Sequence, residues 1–402
     1  MKQFPIIDKS KLEVFAQNYE CPWGGVETIY LVPLELLHLN KDNGRIASWV
    51  SGRESNPDML QFDDMTTDQW NEVLRKYIME SSSKDENAKT MDSLRLQGQL
   101  KVGAILSDGT VVAGNRRCTL LMELRKETAD YDKFGYFKCA IFDFPSTEEG
   151  LKQLKRLETK TQYGEDVPVS YGPIEKLVDI YNNVLVPNAP YQPSEYAVFL
   201  NVNKSTMENL CLRAQIMVEY LKYIGKPGNY EEARLEKLDG PINELARVRK
   251  KVNDREWNRI RPTFYRTLSE GKVKRGDRTR VIRDQITMYN QHDPRFEQLV
   301  DFDKKSLLAR DAAKNGVAIP QEPVSSGLAA RSREDIIKEG ANSIQKENAR
   351  TRPIKTVEAS ITSFADLSKE DIDCMKDDEK KRFFQKLTLL KKRLEKLLEI
   401  ED

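Results

Sequence analysis

Residues 105–121 read ILSDGTVVAGNRRCTLL. The order of residue types in this stretch sets the fold expected around it. Ile105 and Leu106 lead into Asp108-Gly109, a dipeptide suited to a tight hairpin turn because its second position tolerates positive φ. Val111 and Val112 resume an extended run, and Gly114 ends it. Asn115-Arg116-Arg117 then opens a helical pattern carried by Leu120, Leu121 and Leu124. A strand that breaks at a glycine into a helix headed by an amide and two guanidiniums suits an anion. Backbone N–H groups and the helix dipole point at the ligand, and arginine supplies forked donors for phosphate oxygens. Adjacent arginines cannot share one helix face, so one of the two turns toward the glycine.

The same order of an apolar run, Asp-Gly, Val-Val and Gly-Asn-Arg-Arg resembles the second sequence box of the ParB/sulfiredoxin-like fold. ParB proteins carry a Gly-x-Arg-Arg there that binds a nucleoside triphosphate. Upstream, residues 29–34 (IYLVPL) and 40–45 (NKDNGR) resemble the family's first strand and its Asn-x-x-Arg-type turn, which brings Arg45 into the expected site. Leu94, Gly98, Gln99 and Leu100 resemble the helix end and glycine before the central strand. Residues 46 to about 92 then read as an acidic insertion, a lid or partner-binding helix, or inert padding. Residues 54–92 hold ten Asp/Glu against four Lys/Arg.

Downstream, Leu157-Glu158-Thr159-Lys160 stands where ParB proteins have a Glu-Asn-x-x-Arg box for phosphates and metal. The glutamate is kept, whereas Thr159 replaces the asparagine and Thr161 or Gln162 the arginine. The resemblance therefore implies a nucleotide site of Arg45, Gly114, Asn115, Arg116, Arg117, Thr119 and Glu158, taking CTP or ATP with Mg²⁺ on Glu158. The degraded third box argues more against hydrolysis than against binding. The GNRR form is closer to the wider ParB-like group, which includes nucleases, kinases and ATPases of phage and plasmid origin.

Residues 193–213 (PSEYAVFLNVNKSTMENLCLR) carry a second pattern. Ser194 is placed to cap a helix beginning at Glu195, with Ala197 and Leu200 inward. Asn201 falls where a helix-turn-helix needs a left-handed residue, and asparagine is the next best choice after glycine. Val202 fills the turn, and Lys204 opens a second helix with Met207, Leu210 and Cys211 inward. In ParB-like partition proteins a helix-turn-helix follows the nucleotide domain, and NKSTMENLxxR resembles theirs. Docking geometry then offers Asn203, Lys204, Thr206, Glu208, Asn209 and Arg213 to duplex DNA, with Ser205 a cap or phosphate contact.

The net charge of +1 over 402 residues says nothing about DNA. Residues 247–283, however, hold fourteen Lys/Arg against four Asp/Glu, interleaved with Trp257, Phe264 and Tyr265. Beside a helix-turn-helix this reads as a phosphate-tracking surface; the competing reading is a solvated helical face. No apolar stretch approaches the eighteen residues of a membrane span, and the N-terminus MKQFPIIDKSKLEVF lacks a signal-peptide core, so a cytoplasmic protein without membrane contact is expected. Five scattered cysteines with no C-x-x-C give neither a disulfide framework nor a zinc site. Sulfiredoxins use a cysteine in the turn that Cys118 adjoins, but without a neighbouring histidine Cys118 reads as core. His38 and His292 lack ligand spacing.

Residues 301–375 read as a linker with short helices, marked by Pro320, Pro323, Ser325, Ser326 and Gly327. In 376–402, Phe383, Leu387, Leu390, Leu394 and Leu397 recur at heptad spacing, a helix that docks on its own chain or joins a homodimer. The expected fold class is α+β. A ParB/sulfiredoxin-like α/β domain (1–165) precedes a helical helix-turn-helix domain (166–300) and a C-terminal amphipathic helix. The function this implies is nucleotide-regulated DNA binding resembling that of ParB. The alternative is an enzyme, a ParB-like nuclease or NTPase of a mobile-element or phage-defence system, in which Glu158 and Asp108 act on metal or water.

Overall fold

A computed structural model describes residues 4–144, 147–163, 172–270, 278–314 and 332–399. Two strands come first, β1 (Glu13–Glu20) and β2 (Val26–Pro33), then the short β3 (His38–Leu39) and three helices, α1 (Ala47–Glu54), α2 (Thr67–Glu80) and α3 (Lys84–Gln97). β4 (Gly103–Leu106) and β5 (Thr110–Ala113) form the hairpin expected at Asp108-Gly109, where Gly109 has φ +85°. A Cβ at Gly109 would lie 2.1 Å from the Leu36 carbonyl oxygen, so only glycine fits. α4 (Asn115–Thr128), α5 (Tyr131–Phe134), β6 (Tyr136–Phe142) and α6 (Glu148–Tyr163) follow.

The strands form one mixed sheet of order β1-β2-β6-β4-β5-β3, with β4 parallel to β6 and β3 parallel to β5. Alternation along β5 splits it between two cores. Val111 joins the large cluster with Val32, Ile105, Leu120 and Leu124, while Val112 faces the other side with Ala104 and Leu157 of α6. Leu94 lies in the last turn of α3, and Gly98 (φ +69°) caps the helix ahead of β4, where the sequence placed a helix end and glycine.

Residues 46–92 are not a lid or padding. α2 starts from a capping box at Thr66 and Gln69 and lays Trp70, Leu74 and Ile78 into the main core. The Trp70 indole N–H donates to the Leu39 carbonyl at 2.8 Å, and Asn71 brackets β3 by donating to Leu37 O and accepting from Leu39 N. The acidic composition of this segment marks its solvent faces; its apolar positions, at helical spacing, are structural.

Beyond residue 172 the described elements are helical: α7 (Pro173–Ile180), continued by one π-helical turn to Leu185, α8 (Pro193–Phe199), α9 (Lys204–Tyr223), α10 (Tyr230–Leu235), α11 (Asp239–Arg249), α12 (Asp254–Ser269), α13 (Arg278–Asn290) and α14 (Pro294–Lys314). The expected division near residue 165 is not a break in packing, because described residues up to 286, with 299–314, form one compact unit. Ser48 of α1 donates to the buried Glu175 of α7 at 2.5 Å. Tyr230 N donates to Ser51 Oγ at 3.0 Å, and the Arg234 guanidinium lies 4.0 Å over the Trp49 ring.

Residues 287–298 and 332–399 form the second compact unit. It contains α15 (Arg333–Ala365), α16 (Lys369–Asp373) and α17 (Asp377–Leu398). The expected linker of short helices is instead, over 333–365, one helix of 33 residues running through Pro353. Its first half is seated, with Ile336 and Ile344 buried and Gly340 against Met288. The prolines and serines that suggested a linker, at 320–327, lie outside the described residues.

Trp70→Ala is expected to cost about 3–5 kcal/mol, since it removes a buried indole and orphans the Leu39 carbonyl. Urea unfolding measures this. A loss below about 1 kcal/mol would show that α2 is dispensable to the core.

Candidate functional site

Gly114 ends β5 with φ +90° and serves as the N-cap of α4. The left-handed turn swings the chain off the sheet and leaves the first N–H groups of α4 facing a cleft of about 1050 Å³. A Cβ at Gly114 would lie 3.0 Å from Phe137 Cζ and 3.4 Å from an Arg117 nitrogen. Strand, turn and helix thus stand where the apolar run, Gly114 and the Leu120 and Leu124 pattern placed them.

Two buried asparagines lock the turn to its surroundings. Asn115 Nδ2 donates to the Val111 carbonyl at 2.8 Å, and its Oδ1 accepts from Asn40 N at 2.9 Å. Asn40 in turn donates from Nδ2 to Glu158 Oε1 at 2.9 Å and accepts from Asp42 N at 2.9 Å. Glu158 Oε2 accepts from Lys155 Nζ at 2.7 Å. This relay joins β5, the 40–45 loop and α6, three segments that meet only in the fold. Each amide is saturated on the side it turns to the protein, as burial demands.

The two arginines diverge as adjacency requires. Arg116 reaches α3, with Nε 3.1 Å from Asn87 Oδ1 and a terminal nitrogen 3.0 Å from Thr90 Oγ1. Arg117 turns back along the glycine side and donates to the Lys101 carbonyl at 3.0 Å. Arg45 donates to Ser82 Oγ at 3.4 Å. Lys41, Lys89 and Lys101 line the same cleft, and its carboxylates are Asp42, Glu54, Glu158 and Asp179. Seven cations against four carboxylates leave the cleft electropositive.

Of the expected nucleotide residues, Arg45, Gly114, Asn115, Arg116, Arg117 and Glu158 all line this cleft. Thr119 does not. It is fully buried on α4, its hydroxyl without a hydrogen bond. Asp108 is also elsewhere. It caps the hairpin turn by accepting from Thr110 N at 2.9 Å, at the far end of β5 from Gly114, a four-residue strand of roughly 13 Å at a strand's rise per residue. The carboxylate pair of the enzyme reading is therefore not assembled. Cys118 is buried, and desolvation pushes its thiol up to about 12, so it carries no thiolate at neutral pH.

A divalent ion fits this donor set poorly. Mg²⁺ is held by one or two carboxylates together with substrate phosphates, yet both oxygens of Glu158 are already engaged, by Asn40 and Lys155. Among the described residues no group of three or more His, Cys, Asp or Glu side chains is placed to hold a metal ion.

α8 and α9 are joined by a short turn over residues 200–203, where the sequence placed one. Asn201 has φ +50° and Val202 N donates to the Ala197 carbonyl at 3.0 Å. The cap residues differ from expectation. Gln192, with Pro193 at the first helical position, starts α8, so Ser194 lies inside it. Asn203 caps α9 by accepting from Thr206 N at 2.8 Å, so its side chain is committed to the helix. Lys204, Ser205, Thr206 and Glu208 are exposed, Asn209 is half-buried, and Arg213 is held by Asp239 of α11.

Five arginines of the basic segment are matched by acids from outside it, so part of the charge expected to track phosphates is already engaged. Acids from elsewhere in the fold meet its arginines: Glu219 takes Arg261, Glu236 takes Arg278, Glu244 takes Arg247 and Arg283, and Asp303 takes Arg266. Trp257, Phe264 and Tyr265 are buried and unavailable for stacking on bases. Four outside acids thus offset part of the surplus counted along the sequence; Lys250, Lys251, Arg255 and Arg280 stay exposed, and residues 271–277 lie outside the described residues.

No family model, curated protein or solved structure matches the chain. No helix among the described residues is long and apolar enough to cross a membrane.

Gly114→Ala is expected to destabilise the chain by about 1–2 kcal/mol through left-handed strain, more if Phe137 cannot yield. Gly24→Ala, where nothing lies within 4 Å of the added carbon, carries the strain without the crowding. Chemical unfolding of the two variants separates the terms, and equal losses would mean that Phe137 gives way freely.

Proposed function

We propose that this chain is a nucleotide-regulated DNA-binding protein of ParB/sulfiredoxin-like type. A nucleoside triphosphate, CTP or ATP, sits on the Gly114–Arg117 turn, and duplex DNA is read from the N-terminus of α9. What supports this reading above all is the convergence on one electropositive cleft of three segments far apart in sequence: the Asn40–Arg45 loop, the Gly114–Arg117 turn and Glu158. They are the segments that resemble the family's three boxes. Binding is favoured over turnover because Glu158 is tied on both oxygens and Asp108 stands at the far end of β5.

The DNA part rests on the helix-turn-helix geometry at Asn201 and on the exposed Lys204, Ser205, Thr206 and Glu208. The tethered Arg213 and the ion-paired arginines of 247–283 are left out of it. Self-association through the C-terminal helices completes the proposal. α15 exposes Ile354, Val357, Ile361 and Phe364 at spacings of 3, 4 and 3, matching the seam of α17, where Leu394 and Leu397 are exposed.

Equilibrium titrations with ATP, CTP and GTP, with and without duplex DNA, test the two halves separately. Arg117→Ala removes a charge-assisted donor and is expected to weaken nucleotide roughly ten- to hundredfold while DNA binding persists. Lys204→Ala combined with Asn209→Ala is expected to do the reverse. DNA affinity at moderate salt unchanged by the second variant would sink the helix-turn-helix assignment. Sedimentation velocity addresses the dimer: Leu394→Asp with Ile361→Asp is expected to leave a monomer, and a wild-type chain already monomeric at micromolar concentration would remove that part.

A further inference from the structure

Lys155 is the residue that the expected phosphate boxes leave unexplained. It lies one helical turn before Glu158 on α6, so the two share a face, and its ammonium is 2.7 Å from Glu158 Oε2. Its side chain keeps about one third of its surface open (35%), and it lines the cleft into which α4 points. An ammonium has three N–H donors. Glu158 takes one, and the ammonium forms no other hydrogen bond among the described residues.

The relay fixes where this charge stands. Asn115, at the head of α4, holds Asn40; Asn40 holds Glu158; Glu158 holds Lys155, in steps of 2.9, 2.9 and 2.7 Å. The first link is between buried groups, and the second runs from buried Asn40 to half-buried Glu158. Asp42 and Asp179 face the same cleft and add their negative fields. A fixed cation with two open donors stands beside Glu158, the carboxylate expected to take a divalent ion.

We propose that Lys155 is the resident counter-cation of this cleft, and that the polyphosphate of a nucleotide binds here without a divalent metal. Glu158 then positions Lys155 and does not ligate a metal. The inference rests on the nucleotide reading of the cleft and goes beyond it by naming the form in which the anion is taken: free polyphosphate, not its Mg²⁺ chelate.

The full-length chain, titrated with ATP and with CTP in EDTA and again in excess MgCl₂, tests this. The wild type is expected to bind within about twofold in the two buffers, and Lys155→Met to lose at least about tenfold in EDTA, with Lys155→Arg restoring most of it. Glu158→Gln, which removes both the charge a metal would need and the carboxylate that positions Lys155, is expected to weaken metal-free binding, by less than Lys155→Met does. Unliganded melting temperatures of the variants exclude a folding defect. Wild-type binding that requires Mg²⁺ and is abolished by Glu158→Gln overturns the proposal while leaving the nucleotide reading intact. Metal-free binding that Lys155→Met does not weaken overturns the role of Lys155. Binding of neither nucleotide in either buffer overturns the nucleotide reading and this inference with it.

Discussion

The hydrogen bond from Asn40 N to Asn115 Oδ1, 2.9 Å between two buried residues, is the joint on which the site depends. A backbone N–H removed from water must find an acceptor or cost about 1–3 kcal/mol. Here the acceptor comes from the first residue of a helix 75 positions away. Because Asn115 is also bound to the Val111 carbonyl, the loop after β3 cannot shift without moving the end of β5. The direction of α4, the place of Glu158 and the shape of the cleft follow from that one contact. Its amide has no freedom to rotate, so the turn is preorganised before any ligand arrives.

Much of this was legible in the chain. Asp108-Gly109 is a hairpin because its second residue must adopt positive φ, and Gly114 ends a strand for the same reason. Asn201 could be read as left-handed because few other residues accept φ near +50°. These are local constraints, and local constraints survive in a sequence. What stayed hidden was pairing across distance. Nothing in residues 46–92 announces that Trp70 will bond the Leu39 carbonyl, so an acidic stretch looked detachable while its buried face was not. Nothing in α7 announced that Asp179 would border the cleft. Lys155 could have been found, since it stands three residues before Glu158 in a helix, but such pairs are common on solvated faces.

The basic segment gave the opposite lesson. Counting charge along residues 247–283 sums over neighbours in sequence, whereas a phosphate responds to neighbours in space. Once Glu219, Glu236, Glu244 and Asp303 are brought alongside, the field of the five arginines they meet is reduced within a few ångströms, while Lys250, Lys251, Arg255 and Arg280 stay exposed. The aromatic residues between them complete a helical core. A count of residue types could not separate these roles; helical periodicity, which puts Trp257, Ile260, Phe264 and Leu268 on one side of α12, points toward the core.

Those internal ion pairs bear on the thermodynamics of any duplex the chain engages. An arginine already matched to a carboxylate displaces no condensed counterion when DNA approaches, because its charge is not available to replace one. Association through the exposed N-terminus of α9 alone would neutralise few phosphates, and the logarithm of affinity would fall by only about 0.9 per phosphate for each tenfold rise in salt. A chain with such a sequence reads as more basic over this region than its folded surface is, because five of its arginines are already matched by acids from outside the segment. On the DNA reading proposed above, the salt dependence would therefore fall short of what a count of Lys and Arg along the chain predicts.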